Sequence, residues 1–361
     1  MNFKINRYFL FSGFMLVVVF FAGFKQIQNN TAPEYLVQEK FVQNINDLSD
    51  AVKNLKQTVS INDTKNTDHE NVIQLFYTLR EKYKQLEFLL TYIDPEGSEN
   101  FNGANLLSGD PNVLSTQIIY PRGMQVIEEL LFGEGSEKNY PEIKTLCQQL
   151  LADINLLKMQ VDKINFSTTM IMDASRKEMI RICFLGLTGF DSPVAKNSIP
   201  EAVTALKSLQ NTIYKYQASI PDNILYEEIN KKFDEALNYL TSHPDFNSFD
   251  RLYFTKEYGN TLYAMLLDVH VATQAALPED ITDFNLPINY KAKNLFDEDL
   301  LNVDFFDAHK IDMPTTERIE LGKILFFDPV LSVNNKRACA SCHQPAKAFT
   351  DGLTKSTALD F

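Results

Sequence analysis

Apolar residues recur about every three to four positions along most of the chain from Pro33 to Ala276, the spacing of one face of an α-helix. Convincing alternation of apolar and polar residues, which is typical of half-buried strands, is not found in this region. We therefore expect an all-α fold, built as one helical bundle or as two bundles packed together. The pattern predicts these helices: Pro33–Val59, Asp68–Ile93, Gly123–Phe132, Tyr140–Asn165, Thr169–Leu187, Pro200–Ser219, Asn223–Ser242 and Ser248–Thr273.

After these helices the pattern changes, and it predicts a linker followed by a small C-terminal domain. The linker, residues 279–314, contains Pro287 and Pro314 but keeps many apolar residues, so we expect an ordered strap laid over both domains. A last helix is predicted from Thr315 or Thr316, either of which can cap it, to Leu325. The expected domains are residues 1–29, an export segment; 30–278, a helical domain; 279–314, the linker; and 315–361, the C-terminal domain.

The export segment begins with the basic residues Lys4 and Arg7, followed by an uncharged and mostly apolar run of 17 residues from Tyr8 to Phe24. As a helix this run spans about 25 Å, slightly less than a hydrocarbon core of about 30 Å. No clear cleavage site of small residues follows it. A cleaved signal peptide and a retained membrane anchor both fit, and either places the rest of the chain outside the cytoplasm, in the periplasm.

Charge and cysteine content narrow the function classes. A net charge of −13 argues against a nucleic-acid partner and suits a basic electron carrier. Four cysteines are too few for a disulfide scaffold. Cys147 and Cys183 lie far apart in helical patterns, so we expect two buried thiols, with a disulfide as the alternative.

The other two cysteines form Cys339-Ala-Ser-Cys342-His343, the spacing of covalent haem attachment. Both thiols can form thioethers with haem vinyl groups, and His343 is placed to bind the iron. A zinc site needs a second pair of ligands, which the neighbouring sequence lacks, and a thioredoxin-like redox pair needs a βαβ pattern. A structural disulfide remains an alternative from this motif alone. No catalytic residue can be assigned.

The residues around this motif strengthen the haem interpretation. They are Leu321-Gly322, Leu325-Phe326-Phe327-Asp328, Leu331-Ser332 and Phe349-Thr-Asp-Gly352. Together with the motif they resemble the bacterial di-haem cytochrome c peroxidase/MauG family, over about the last fifty residues. The resemblance implies the first of two haem domains, haem c, hydrogen peroxide as substrate, and a small electron donor such as a cytochrome c or a cupredoxin.

The family has a second C-x-x-C-H, which this sequence lacks, so we expect a fragment or a shortened gene product with a loose haem region and little peroxidase turnover. We do not expect His309 or Met313 in the linker to reach the iron. Alternatives are a haem electron-transfer or sensing module without peroxidase turnover, and a helical binding protein with a vestigial haem tail. Substrate modification of the MauG kind also remains open.

The second predicted helix carries a polar stripe that fits either a buried polar network or an exposed ladder of charges. The stripe consists of Phe76, Arg80, Tyr83, Lys84 and Glu87, and three later motifs follow it, Asn102-Gly103, Gly123-x4-Glu128 and Phe249-Asp-Arg251. Together they resemble the imelysin-like family over about residues 35–275. The resemblance implies a helical domain.

One position departs from that family, whose pattern G-x-H-x-x-E is associated with metal. Here Gln125 stands in place of the histidine, and a neutral amide is a poor ligand for a transition metal. With Glu128 alone we expect no metal site, and a scaffold or partner-binding role for the helical domain. Of the remaining histidines, we expect His69 to be exposed at a helix start and His270 to be a cation near a helix C-terminus.

Overall fold

The computed structural model describes residues 31–60, 68–109, 118–133, 136–282, 286–306, 315–353 and 356–357. The apolar run from Tyr8 to Phe24 and the linker residues His309 and Met313 lie outside these ranges. Within them, no helix combines the length and the apolar character that crossing a membrane requires.

Helices make up most of the described chain, which confirms the all-α prediction. Two very short strands, β1 (Ser108–Gly109) and β2 (Ile118–Ile119), pair antiparallel with Ser108 opposite Ile119. The helices are α1 (Pro33–Thr58), α2 (His69–Lys84), α3 (Glu87–Ile93), α4 (Pro95–Asn102), α5 (Met124–Phe132), α6 (Tyr140–Val161), α7 (Thr168–Arg181), α8 (Ser198–Lys215), α9 (Asn223–Ser242), α10 (Arg251–Phe254), α11 (Asn260–Ala272), α12 (Pro278–Ile281) and α13 (Thr316–Phe327).

The chain forms two compact units. Among the described residues, the helical unit comprises those within 31–282 and 290–300, and the C-terminal unit comprises those within 286–289 and 301–357. The segment predicted to be one strap is therefore divided. Its middle part packs into the helical unit, where Tyr290 and Leu295 are buried, while Ile288 pairs with Leu301 in the C-terminal unit.

The core of the helical unit forms where amphipathic helices bury their apolar faces against one another. Helix α1 packs against α2 and α6, α9 packs against α8 and α11, and α11 also packs against α7. On α1 the buried residues Phe41, Ile45, Leu48 and Val52 follow the helical period. Each such side chain contributes about 1.5–3 kcal/mol when it leaves water. The predicted helices thus follow from the faces that this core buries.

The predicted helix from Asp68 to Ile93 is wrong in one respect, because the structure divides it at Gln85 and Leu86 into α2 and α3. The carbonyl oxygen of Gln85 accepts hydrogen bonds from Asn44 Nδ2 at 3.1 Å and from Ser208 Oγ at 2.7 Å. Two side chains from other helices therefore occupy the acceptor that a continuous helix uses.

The chain ends α3 at Ile93, as predicted, but Pro95 then begins a further helix, α4, which was not predicted. The side chain of Asp94 accepts a hydrogen bond from the backbone N–H of Gly97 at 2.9 Å, which caps the new helix. Proline at the first helical position needs no hydrogen-bond acceptor for its nitrogen. The chain therefore starts a new helix in a stretch for which the sequence pattern predicted none.

Two predicted helices contain a π-helical segment, Ile182–Gly186 after α7 and Thr255–Gly259 between α10 and α11. The segments approach closely, since a Cβ atom on Gly259 would lie 2.5 Å from Cys183 Sγ. Cys147 and Cys183 are both buried and free, which confirms the prediction of two buried thiols. Burial raises the pKa of each thiol to about 12.

Two histidine predictions are wrong. His69 is partly buried, with Nδ1 2.9 Å from Tyr140 Oη. His270 is fully buried, and burial lowers its pKa, so it is not the expected cation. Its Nε2 donates to the carbonyl oxygen of Ala276 at 3.1 Å, and its Nδ1 accepts from Tyr290 Oη at 2.6 Å. The ring is a neutral link between α11 and the segment that follows it.

Candidate functional site

The polar stripe of α2 continues into α3 and is buried, which decides for the buried network and against the exposed ladder. Arg80, fully buried on α2, lies at one end. Its guanidinium donates to both carboxylate oxygens of Glu201, at 2.8 Å and 2.5 Å, and to the carbonyl oxygen of Asp191 at 2.7 Å. It also donates to Asn102 Oδ1. Arg80 thus ties α2 to α4, to α8 and to the segment before α8.

Lys84 and Arg181 continue this network. Lys84 Nζ lies 2.7 Å from both Glu87 Oε2 and Asp191 Oδ2, and Arg181 lies 3.0 Å from Glu87 Oε1 and 2.8 Å from Asp191 Oδ1. Burial alone raises the pKa of Asp191, but the charges of Lys84 and Arg181 hold it below its usual value. Asp191 therefore stays ionised between two cations.

Glu178 on α7 is the exception in this network. Its carboxyl group is buried, and neither oxygen has a hydrogen-bond partner within the described part of the chain. Burial and the charge of Glu87 raise its pKa well above the usual range. The adjoining cavity of about 10 Å³ has room for about one water molecule. This cavity is therefore too small for a substrate. The network instead stabilises the fold, because its ion pairs join the helices that carry them.

Gln125 and Glu128, at the position of the imelysin-like metal pattern, are both buried on α5. Gln125 Nε2 donates to the carbonyl oxygen of Asn102 at 3.0 Å. Glu128 Oε1 accepts from the backbone N–H groups of Val194 at 2.9 Å and Ala195 at 2.6 Å, while burial raises the pKa of this carboxyl group. Among the residues that the structure describes, no group of three or more His, Cys, Asp or Glu side chains is arranged to hold a metal ion.

The Cys339-x-x-Cys342-His343 motif folds into one tight turn of the C-terminal unit. A 3-10 turn spans Cys339–Ser341, and the backbone N–H groups of Cys342 and His343 both donate to the carbonyl oxygen of Cys339, at 3.2 Å and 2.9 Å. The small side chains Ala340 and Ser341 allow this curvature. Both thiols are free, with Cys339 exposed and Cys342 half-buried. The turn keeps the two thiols and the imidazole on one short stretch of backbone.

The ring of His343 is oriented by a second backbone contact. Its Nδ1 lies 3.2 Å from the carbonyl oxygen of Phe349. A carbonyl oxygen only accepts, so Nδ1 is the donor of this contact and Nε2 is the ring nitrogen left to bind a metal. Iron-binding histidines are usually held by such a hydrogen bond from the other ring nitrogen.

This contact depends on an uncommon backbone conformation. Ala348 and Phe349 have φ values of 52° and 60°, in the left-handed region that side chains disfavour. The turn is held by Phe349 N–H donating to the carbonyl oxygen of Gln344 at 2.9 Å and by the pairing of Gln344 with Thr350. Backbone strain of this kind is concentrated at functional sites.

Apolar side chains around the turn remain open to solvent. Helix α13, capped by Thr315 Oγ1, packs against the Cys339–Ser341 turn, and Phe326 meets Phe349 edge to face at 6.2 Å between ring centroids. None of the described residues in 315–353 is buried. Two free thiols, an imidazole with an available Nε2 and uncovered apolar surface fit the chemistry of a large apolar haem. The exposed apolar side chains include Leu321, Ile324, Phe327, Val330, Leu331, Val333, Phe349 and Leu353.

Comparison with known proteins points to the same segment. Residues 316–360 match the family described as di-haem cytochrome c peroxidase. This range contains Cys339, Cys342, His343 and Phe349. The match shows that this segment is similar to part of a family of haem proteins.

Three curated relatives show the same similarity over short stretches. Methylamine utilization protein MauG of Methylorubrum extorquens is 50% identical over 42 residues, which are 12% of this chain and 12% of that protein. Cytochrome-c peroxidase IdrP2 of Denitromonas iodatirespirans is 55% identical over 40 residues, 11% of each chain. MauG of Paracoccus denitrificans is 61% identical over 31 residues, 9% of this chain and 8% of that protein.

The chain spans only 8% to 12% of the length of these relatives. The similarity is thus a property of the C-terminal segment, which resembles part of the di-haem cytochrome c peroxidase family.

Proposed function

We propose that the C-terminal unit binds haem c covalently through Cys339 and Cys342, with His343 as an iron ligand, and that this haem reduces hydrogen peroxide. The observation that carries the proposal is the hydrogen bond between His343 Nδ1 and the Phe349 carbonyl oxygen, inside the segment that matches the peroxidase family. This bond leaves Nε2 of His343 available to bind the iron, and His343 lies on the same turn as both thiols.

Each residue has a defined chemical part. The thiols of Cys339 and Cys342 would each add across a haem vinyl group, forming one carbon–sulfur bond and transferring the thiol hydrogen to the other vinyl carbon. His343 would hold the iron through Nε2, with its ring kept in place by the Phe349 carbonyl oxygen. The bound haem supplies the redox chemistry, whereas the protein sets ligation and access.

The electron donor is proposed to be a small redox protein, a cytochrome c or a cupredoxin. The net charge of −13 favours a donor with a basic surface. Covalent haem attachment and the apolar run from Tyr8 to Phe24 both suit a location outside the cytoplasm, in the periplasm, with a cleaved or a membrane-bound N-terminus.

A peroxide assay tests the reaction. Haem-loaded protein is mixed with a reduced small cytochrome c, and oxidation of the cytochrome is followed after hydrogen peroxide is added. The proposal predicts peroxide-dependent oxidation that the Cys339→Ser/Cys342→Ser variant lacks. Electron exchange with the cytochrome that peroxide does not accelerate would instead identify an electron-transfer module.

For residues 30–278 we propose an imelysin-like scaffold that binds or positions a partner and performs no catalysis. Most of the polar groups that resemble that family are occupied by internal hydrogen bonds, as Gln125 is by the carbonyl oxygen of Asn102 and Arg80 by Glu201. Glu128 Oε2 is the exception, since it has no partner among the described residues. The test is iron content in the Cys339→Ser/Cys342→Ser background, with and without Glu128→Gln. Stoichiometric, tightly bound iron that Glu128→Gln removes would overturn this part of the proposal.

A further inference from the structure

We propose that the helical unit binds a small, multiply charged oxyanion, a polycarboxylate or a phosphate compound, in a basic cleft between α1 and α8. The cleft is a cavity of about 230 Å³. This volume is below the roughly 300–1,000 Å³ of pockets for drug-sized ligands, which suits a small molecule. The proposal goes beyond the haem function and does not depend on it.

Helical spacing places the basic groups on the cleft. Lys207 and Lys215 lie on one face of α8, two turns apart, and Lys40 lies on the facing side of α1. Asn211, between the two lysines of α8, also lines the cavity. The sequence therefore directs three ammonium groups to one opening.

These lysines are not neutralised by acidic partners. Among the residues that the structure describes, none of the three lies within ion-pair distance of a carboxylate, and Lys215 Nζ donates only to the carbonyl oxygen of Asn211, at 3.3 Å. Glu81 is the one acidic residue among the described residues that line the cavity. In a chain with a net charge of −13, an uncompensated group of cations is unusual.

Lys40 and Lys215 are close enough to affect each other. Lys215 is half-buried, and burial followed by the charge of Lys40 lowers the pKa of its ammonium group. Two cations held together in a partly dehydrated cleft repel each other, and a bound anion relieves that repulsion. The cleft therefore favours a ligand that carries more than one negative charge.

Neutral polar groups complete the site. Ser208 lines the cavity, with its hydroxyl hydrogen already donated to the carbonyl oxygen of Gln85. Asn44 also lines it, is nine-tenths or more buried, and has an Oδ1 with no hydrogen-bond partner among the described residues. The amide orientation of Asn44 is fixed because its Nδ2 donates to the carbonyl oxygen of Gln85. An oxyanion that also bears a hydroxyl group can use this acceptor, as citrate can.

Isothermal titration calorimetry on the full chain tests the proposal with two probes, citrate and pyrophosphate, in a low-salt buffer free of phosphate. Binding of citrate, pyrophosphate or both with a Kd below about 1 mM is expected, and the stronger probe identifies the class. Lys40→Gln and Lys215→Gln are each expected to weaken binding about tenfold, in line with the loss of one charge-assisted hydrogen bond. Lys256→Gln, at an exposed site elsewhere on the helical unit, is expected to leave the Kd unchanged.

Thermal unfolding of each variant separates loss of binding from loss of structure. The variants are expected to unfold near the temperature of the parent protein, while ligand at a few times the parent Kd raises that temperature clearly in the parent and much less in Lys215→Gln. No binding of either probe below about 1 mM, or equal binding by parent and both cleft variants, would overturn the proposal. Neither result bears on haem attachment.

Discussion

The backbone N–H of His343 donates a 2.9 Å hydrogen bond to the carbonyl oxygen of Cys339. This bond closes the turn that holds both cysteines and the histidine. The arrangement is therefore local, and it is complete within a few residues of the chain. Covalent attachment is expected to depend on this turn, while the orientation of the ring depends on Phe349.

Removing the imidazole separates attachment from ligation. In haem-linked protein, His343→Ala is expected to change the absorption spectrum, because the iron loses its nitrogen ligand while both thioethers remain. Added imidazole is expected to restore the parent spectrum. His243→Ala, an exposed histidine stacked on Tyr239 in the helical unit, is the control. A parent-like spectrum in His343→Ala contradicts the assigned ligand.

Breaking the buried network at Arg80 is expected to be costly. Arg80→Met leaves the carboxylate of Glu201 buried without its partner, which typically lowers the free energy of unfolding by about 3–5 kcal/mol. Lys53→Met removes an exposed ion pair with Asp50 and is expected to change the free energy of unfolding far less than Arg80→Met does, because solvent screens the pair. Denaturant titrations measure both. Equal small losses in the two variants argue against a structural role for the network.

Glu178 predicts a pH dependence of stability. The folded state raises the pKa of this carboxyl group, so the folded protein holds a proton that the unfolded chain releases above its ordinary pKa. The stabilisation is therefore complete below the ordinary glutamate pKa and is lost as pH rises towards the folded value.

The test compares Glu178→Gln with the parent, because glutamine mimics the protonated acid. The gain in unfolding free energy of Glu178→Gln over the parent is expected to grow from pH 5 to pH 8. Glu235→Gln, at a surface carboxylate paired with Lys232, is the control and is expected to show no such growth. A difference in unfolding free energy between Glu178→Gln and the parent that stays constant from pH 5 to pH 8 would contradict a raised pKa of Glu178.

Limited proteolysis tests the expectation of a loose haem region. Because none of the described residues in 315–353 is buried, the first cuts in the Cys339→Ser/Cys342→Ser protein are expected there. The helical unit, with its buried core, is expected to persist as a large fragment identified by mass. First cuts inside α1 to α9 contradict the expectation.

Local patterns predicted much of this fold. The helices follow from apolar faces such as that of α1, and the Cys339–His343 turn needs only its own few residues. The break at Gln85 was not predictable, because the competing donors Asn44 and Ser208 come from other helices. The charge of His270 was misjudged because Tyr290 covers it.

The candidate site also has residues that the local sequence predicts and residues that depend on the rest of the fold. The motif identified Cys339, Cys342 and His343. The contact of His343 with the Phe349 carbonyl oxygen was not predictable, because it depends on a left-handed backbone conformation that no glycine in the sequence indicates. Glu201, a partner of the α2 stripe, was missed because charges on amphipathic helices usually face solvent. Asp191 was missed because it lies in the non-helical segment before α8, where no helical spacing relates it to the stripe.

The mass of the intact protein under denaturing conditions, after expression with a haem-maturation system, tests the central claim most directly. The account predicts a polypeptide heavier by one haem, which stays attached when the chain unfolds. It predicts no added mass for Cys339→Ser/Cys342→Ser. A parent protein with the mass of the polypeptide alone would contradict the account.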